Sequence, residues 1–203
     1  MAISRNALIF SIIIILFTSC ATSYKAIIPD SVNFPAAENG SNFSYRFDVL
    51  REAGNRKLAK KEERKLVRVV AVKLVNNTGQ TLKYGYNYKI YSENAEIEVL
   101  SATRTTSYIR QSVPSYLLYL ALTPAKLTFT SGYKQSSFPL GFILGPGLAG
   151  INMAISGTAN KNLRTELENN TIIDKEIKPG ETFYGLIGIY DNHFMPLTIK
   201  IAN

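Results

Sequence analysis

The sequence predicts a mainly β protein, an antiparallel β-sandwich with an inserted helical segment, and three observations lead there. Strand-like stretches run from Phe43 to Leu100, a helix-like excursion occupies about 107–169, and strand-like stretches return from Thr171 to Ile201. Strands on both sides of a helical excursion suit two packed antiparallel sheets, because each sheet must cover one apolar face with a second layer. The 203 residues include 46 % apolar side chains, with 12 Tyr, 10 Phe and no Trp, enough for one domain with a real core.

Residues 1–19 hold one basic residue, Arg5, then an apolar run from Ala7 to Phe17, then Thr18-Ser19 before Cys20. That is the pattern of a cleaved secretory signal, and the run is shorter than the about 20 residues of a membrane span. Residues 20–42 contain Pro29, Pro35 and Gly40 with little periodicity and read as a flexible tether, leaving 43–203 as the domain. Phe43, Tyr45, Phe47 and Val49 alternate with Ser44, Arg46 and Asp48, a strand signal. Residues 51–68 carry eight basic and three acidic side chains and read as a solvated loop or short helix.

Leu66–Val75 is β-branched and apolar on both faces, the mark of a central strand covered from both sides. Asn76-Asn77-Thr78-Gly79 is a turn signal, since Asn and Gly tolerate positive φ. A second strand then places Leu82, Tyr84, Tyr86, Tyr88 and Ile90 on one face, so the two strands are expected to form a hairpin. Ser92–Ala95 turns the chain and Ile97–Leu100 is a short third run.

From Gln111 to Asn160 only Lys126 and Lys134 are charged. Pro114 suits the first turn of a helix over Ser115–Leu122, ended by Pro124. Phe138–Ser156 is apolar but broken by Pro139, Pro146 and four glycines, so a helix is expected only from about Gly150 to Glu168, with Ile151, Ile155, Leu163 and Leu167 on one side. Thr171–Ile177 leads into Lys178-Pro179-Gly180-Glu181, with Pro and Gly in the order of a type II turn. Phe183–Tyr190 and Leu197–Ile201 are strands joined through Asp191-Asn192-His193.

The formal charge is +8, or +7 once Arg5 leaves with the signal. This favours anionic partners such as lipid headgroups, acidic polysaccharide or acidic proteins, and an exported chain seldom meets nucleic acid, so none is expected. Cys20 is the only cysteine and His193 the only histidine, which excludes a multi-His zinc site and an internal disulfide.

Phe17-Thr18-Ser19-Cys20, with Leu16 one place before the usual lipobox leucine, resembles the lipobox of bacterial lipoproteins. The resemblance implies that Cys20 is acylated and becomes the mature N-terminus, a lipid anchor in the bilayer. Some lipoproteins of Bacteroidota-like bacteria carry an acidic surface-export signal just after that cysteine, whereas here no acidic residue follows before Asp30. By that resemblance the protein is expected in the outer membrane, facing the periplasm. The VxVKLVNNTG stretch and the late IKPGETFYGLI resemble immunoglobulin-like modules of bacterial lipoproteins over about 66–100 and 171–201. This implies an immunoglobulin-like sandwich and an envelope accessory or binding module.

The candidate sites each have a plainer reading. Gly145-Pro146-Gly147-Leu148-Ala149-Gly150 matches G-x-G-x-x-G, but no parallel strand precedes it, so close backbone packing is preferred to a dinucleotide site. Gly141-x-x-x-Gly145 suits a helix dimer motif, with burial inside the domain the better account. Tyr84, Tyr86 and Tyr88 suit a sugar-stacking platform or cross-strand packing. Phe138 and Phe142 are candidate ligand or partner contacts within the apolar 111–160 region. His193 beside Asp191 reads as an Asx-type turn rather than a base with its orienting carboxylate. No residue is assigned to catalysis, a cofactor or a metal. The expectation is a membrane-anchored accessory or binding module that meets an envelope protein through 111–160, with a glycan- or small-ligand-binding module using a tyrosine-lined face and then a motif-less hydrolase as alternatives.

Overall fold

The computed structural model describes residues 20–35, 42–93, 95–191 and 193–201. The signal expected over 1–19, part of the tether at 36–41, and Asn94 and Asn192 of two expected turns lie outside the described residues. The chain divides into two compact units. Among the described residues, one comprises 20–23 with Gln111–Ala159, the other Tyr24–Arg110 with 160–201.

In the larger unit, β2 (Val67–Val75) is the central strand of a three-stranded antiparallel sheet, between β1 (Phe43–Arg46) and β9 (Thr182–Tyr190). Val67 faces Tyr190 and Val75 faces Thr182, so the two long strands pair end to end. Side chains alternate across the pleat, and both sets are buried, as the β-branched run predicts. Val70, Val72 and Leu74 join a core with Ile187 and Ile189 of β9, Leu82 of β3 (Leu82–Lys83), Tyr88 and Ile90 of β4 (Tyr88–Ser92), Ile177 of β8 (Glu176–Ile177) and Leu197 of β10 (Leu197–Ile201). Val67, Val69, Ala71 and Leu186 join another with helical residues. These are Val49 and Leu50 of α1 (Val49–Glu52), Leu58 and Ala59 of α2 (Arg56–Lys65), Ile109 of α3 (Ala102–Ile109), and Leu163 and Leu167 of α4 (Leu140–Asn169).

The mainly β, immunoglobulin-like sandwich expected from the sequence is therefore corrected. The protein is mixed α/β: the described residues are 37 % helix and 29 % strand, in four small separate antiparallel sheets and a 30-residue helix. Two physical causes account for the difference. The basic run 51–68 builds α2, since Leu58, Ala59 and Glu62 fall on one helical face and are buried, and Val49, expected at the end of a strand, instead opens α1. The expected hairpin over 66–90 does not form, because the second strand breaks at Tyr84–Asn87. There Gly85 takes φ +78°, Asn87 Oδ1 accepts the Lys83 N–H at 2.7 Å, and Asn87 Nδ2 donates to Thr81 O at 2.8 Å. β3 then pairs with β8, and β4 with β10 and β5 (Ala95–Glu96).

The turn at 76–79 works through a side chain rather than through positive φ. Asn76 is fully buried; its Nδ2 donates to Gln80 O and Ile177 O, both at 2.8 Å, and its Oδ1 accepts from Thr78 N at 3.0 Å and Thr78 Oγ1 at 2.6 Å. Its backbone ties to the other late turn, with Asn76 N donating to Glu181 O and Gly180 N to Asn76 O. That second turn has the expected form: Gly180 adopts φ +79° and Glu181 N donates to Lys178 O at 3.0 Å.

α3 starts at Ser101, whose side chain accepts the Arg104 N–H, and lays Thr105 against Gly188 of β9. A Cβ on Gly188 would collide with the Thr105 side chain, so Gly188→Val is expected to push α3 off the sheet and cost about 1–3 kcal/mol. Chemical unfolding measures this; an unchanged midpoint would contradict the close approach.

In the smaller unit, a 3-10 helix at Pro114–Leu122, the hairpin of β6 (Leu127–Ser131) with β7 (Lys134–Phe138), and the N-terminal part of α4 are the elements. The sequence expects α4 to start near Gly150; it starts at Leu140 and passes through Pro146. Packing explains the extension. Gly141 and Gly145 lie so close to Leu122–Ala125 that a Cβ at either would overlap that segment.

Candidate functional site

Cys20 is followed by a segment whose backbone is held by side-chain amides. In the smaller unit, Gln111 is buried and spans both polar groups of Thr22: Nε2 donates to Thr22 O at 2.7 Å and Oε1 accepts Thr22 N–H at 3.2 Å. Asn152, buried on α4, accepts the Ala21 N–H at Oδ1 and donates Nδ2 to Leu148 O. In the larger unit, Asn55 repeats the device on Lys25, accepting its N–H at 2.8 Å and donating to its carbonyl at 2.7 Å. Each carboxamide offers one donor and one acceptor side by side, so it substitutes for a neighbouring strand. Glu166 Oε1 accepts both the Ile27 N–H and the Tyr24 hydroxyl at 2.7 Å. Ile27 and Pro29 are buried, and a short 3-10 turn follows at Pro29–Ser31. Over its described part, the segment expected as a tether is docked.

Burial pushes the Glu166 carboxyl above its usual range, opposed by the hydrogen bonds from Tyr24 and Ile27. The Tyr24 hydroxyl is pushed up by burial and by the adjacent carboxylate. Glu62, 1 % exposed, accepts the Val69 N–H at 2.6 Å, and burial pushes its carboxyl up to about 8. Both perturbed carboxyls are thus engaged with backbone N–H groups. Other carboxylates form surface ion pairs: Glu52 with Arg46, Glu63 with Arg51, Glu96 with Lys89, Glu98 with Arg104 and Glu168 with Arg164. Among the described residues no group of three His, Cys, Asp or Glu is placed to hold a metal. A cleft of about 320 Å³ in the larger unit is lined by Ala26, Ile27, Val32, Val49, Glu52 and neighbours, and its one carboxylate is the partner of Arg46.

The candidate aromatic residues are not brought together. Tyr88 is 2 % exposed, inside the core, and burial pushes its hydroxyl up. Tyr84 is half-buried, its hydroxyl accepting Val99 N–H at 3.1 Å and donating to Ile97 O at 3.3 Å. Tyr86 is 84 % exposed at the tip of the turn. The shared face expected for the three is lost with the strand break at Tyr84–Asn87. Phe138 and Phe142 are both exposed in the smaller unit. His193 N donates to Asp191 Oδ1 at 3.1 Å, the Asx-type turn expected there. In the G-x-G-x-x-G stretch, Gly145 makes a close approach while Gly147 and Gly150 face open space, and the whole stretch lies inside α4.

Sequence reasoning missed Asn55, Gln111, Asn152, Glu62 and Glu166. Only Glu62 left a signal, four residues after Leu58 on the buried face of α2. Comparison with protein-family models, with curated proteins and with solved structures found no match for this chain.

Proposed function

We propose that the protein is a lipid-anchored envelope lipoprotein, held in the outer membrane by acyl chains on Cys20 and facing the periplasm, that acts as a binding or accessory module rather than as an enzyme. The Phe17-Thr18-Ser19-Cys20 sequence carries the anchor reading. The observation that supports a role for the body at the membrane is the docking of the residues after Cys20. With Ala21 and Thr22 each bonded to side chains of the smaller unit, the anchor leads straight into folded protein. Each acyl methylene that enters the bilayer contributes about 0.8 kcal/mol, so several chains hold the protein in place. Ion-paired surface carboxylates and the engagement of Glu62 and Glu166 favour binding over acid–base chemistry. The dispersal of Tyr84, Tyr86 and Tyr88 counts against a sugar-stacking platform.

Cys20→Ser is expected to abolish lipid labelling and to leave the protein unprocessed or soluble on cell fractionation. Normal membrane retention of that variant would refute the anchor.

A further inference from the structure

The smaller unit is built with its polarity inverted. Along the part of α4 in the smaller unit, up to Ala159, the buried positions are Gly141, Gly145, Ala149, Asn152, Ser156 and Ala159, all small or polar. The exposed positions include Phe142, at 69 %, Ile143, Leu144 and Ile151. A helix at a water-facing surface does the opposite, turning its large apolar side chains inward. Small residues against protein with large apolar ones outward is the arrangement of helices surrounded by lipid.

The neighbouring elements share this inversion. In the 3-10 helix, three residues per turn put Tyr116 and Tyr119 one above the other. They are buried with their ring planes 2° apart, while Leu117, Leu118 and Leu120 are exposed. Every residue of β6 and β7 is exposed. The register places Leu127 opposite Phe138, Phe129 opposite Ser136 and, next to the turn, Ser131 opposite Lys134 on one face, with Thr128, Ser137, Thr130 and Gln135 on the other. A two-stranded hairpin with no core beneath it is marginal in water, so its apolar face calls for a cover.

We propose that this outward apolar surface of the smaller unit enters the lipid leaflet that holds the acylated Cys20. The inference rests on the anchor reading for where the bilayer lies. Three observations favour lipid over a protein partner as the cover. The surface is continuous with the anchor: Cys20 belongs to the smaller unit, and the next residue, Ala21, is bonded to Asn152 of α4. Protein interfaces carry a polar rim, whereas 111–160 holds only Lys126 and Lys134 as charged groups. Both are cations, the sign that anionic headgroups attract.

α4 is long and apolar enough by composition to cross a bilayer, and 28 % of its most apolar stretch is buried. Its far end carries Lys161, Arg164, Glu166 and Glu168, and Leu163 and Leu167 belong to the core of the larger unit. The outward apolar face therefore runs over Leu140–Ile151, about 18 Å at 1.5 Å per residue. That is short of the about 30 Å hydrocarbon core, so the surface enters one leaflet and does not span.

The absence of Trp gives a clean probe. Phe129→Trp and Phe142→Trp, made singly in the full lipidated protein, report from the smaller unit; Tyr86→Trp reports from the larger one. All three sites are exposed, so the fold tolerates the ring. The proteins are reconstituted into phosphatidylethanolamine–phosphatidylglycerol vesicles with or without brominated phosphatidylcholine, and their mass is read in parallel. Emission from the first two variants is expected to shift to the blue and to lose most of its intensity with brominated chains, while Tyr86→Trp keeps its own. If Phe129→Trp and Phe142→Trp behave like Tyr86→Trp in an acylated protein, the inference fails and the anchor stands. Quenching in a protein that lacks acyl mass sinks the anchor and upholds the inference. Quenching that appears only after an envelope protein is added would assign the surface to a partner and overturn the proposal.

Discussion

Glu62→Gln is expected to stabilise the protein above about pH 8 by several kcal/mol and to remove most of one pH dependence from its stability. Glu62 sits on the inward face of α2, and burial moves its carboxyl from the ordinary 4.5 to about 8. The Val69 N–H, Arg68 and Arg51 pull the other way, and Asp48 adds to the rise. The folded state therefore holds a proton that the unfolded chain releases. Stability from this group is complete below the unfolded value, declines by about 1.4 kcal/mol per pH unit between about 4.5 and 8, and is gone above that window. A neutral glutamine offers the same carbonyl acceptor to Val69 without a charge to bury. Unfolding by urea across that window, compared between the two proteins, isolates the contribution. Parallel curves for the two would contradict the buried neutral carboxyl. Glu62→Ala is expected to destabilise by about 2–3 kcal/mol at low pH, since it leaves the Val69 N–H unpaired beside a void.

Asn76 supplies the other large effect. Its side chain makes four hydrogen bonds from a fully buried position and joins the loop after β2 to the end of β8. Asn76→Ala removes all four and strands the Ile177 carbonyl, at an expected cost of about 3 kcal/mol. Asn76→Asp is expected to cost more at neutral pH, because a carboxylate cannot donate to Gln80 O and Ile177 O and would carry an unpaired charge into the core. Its deficit should shrink in acid as the carboxyl takes up a proton. A shift in denaturant midpoint at constant slope measures both variants. A loss below about 1 kcal/mol for Asn76→Ala would show that the loop holds itself by other means.

The parts of the fold that were legible are those written in local pattern. The continuous β-branched run gave away β2 as a strand covered on both faces, and Pro179-Gly180 gave its turn. Partner choice was not legible. β2 lies between β1 and β9 because the chain at 76–81 is organised by one buried amide and does not reverse onto its predecessor. The Tyr84–Tyr88 alternation looked like one strand, yet Gly85 and Asn87 turn it, so one tyrosine enters the core and another faces water. The stretch that forms α2 read as a solvated loop or short helix, and its buried face was hidden because Glu62 occupies a core-facing position where an apolar residue is expected. The early start of α4 was hidden by glycines and Pro146, whose low helix propensity is overridden by backbone packing on 122–125. The amide clamps on Thr22 and Lys25 left no trace, because a carboxamide reading a distant backbone has no sequence period.

Attachment to the bilayer depends on what is joined to Cys20. The intact mass of the protein isolated from membranes tests this most directly. A chain that begins at Cys20 and carries the added mass of acyl groups is the result expected. A chain that retains residues 1–19, begins elsewhere, or begins at Cys20 with no acyl mass would contradict the anchor.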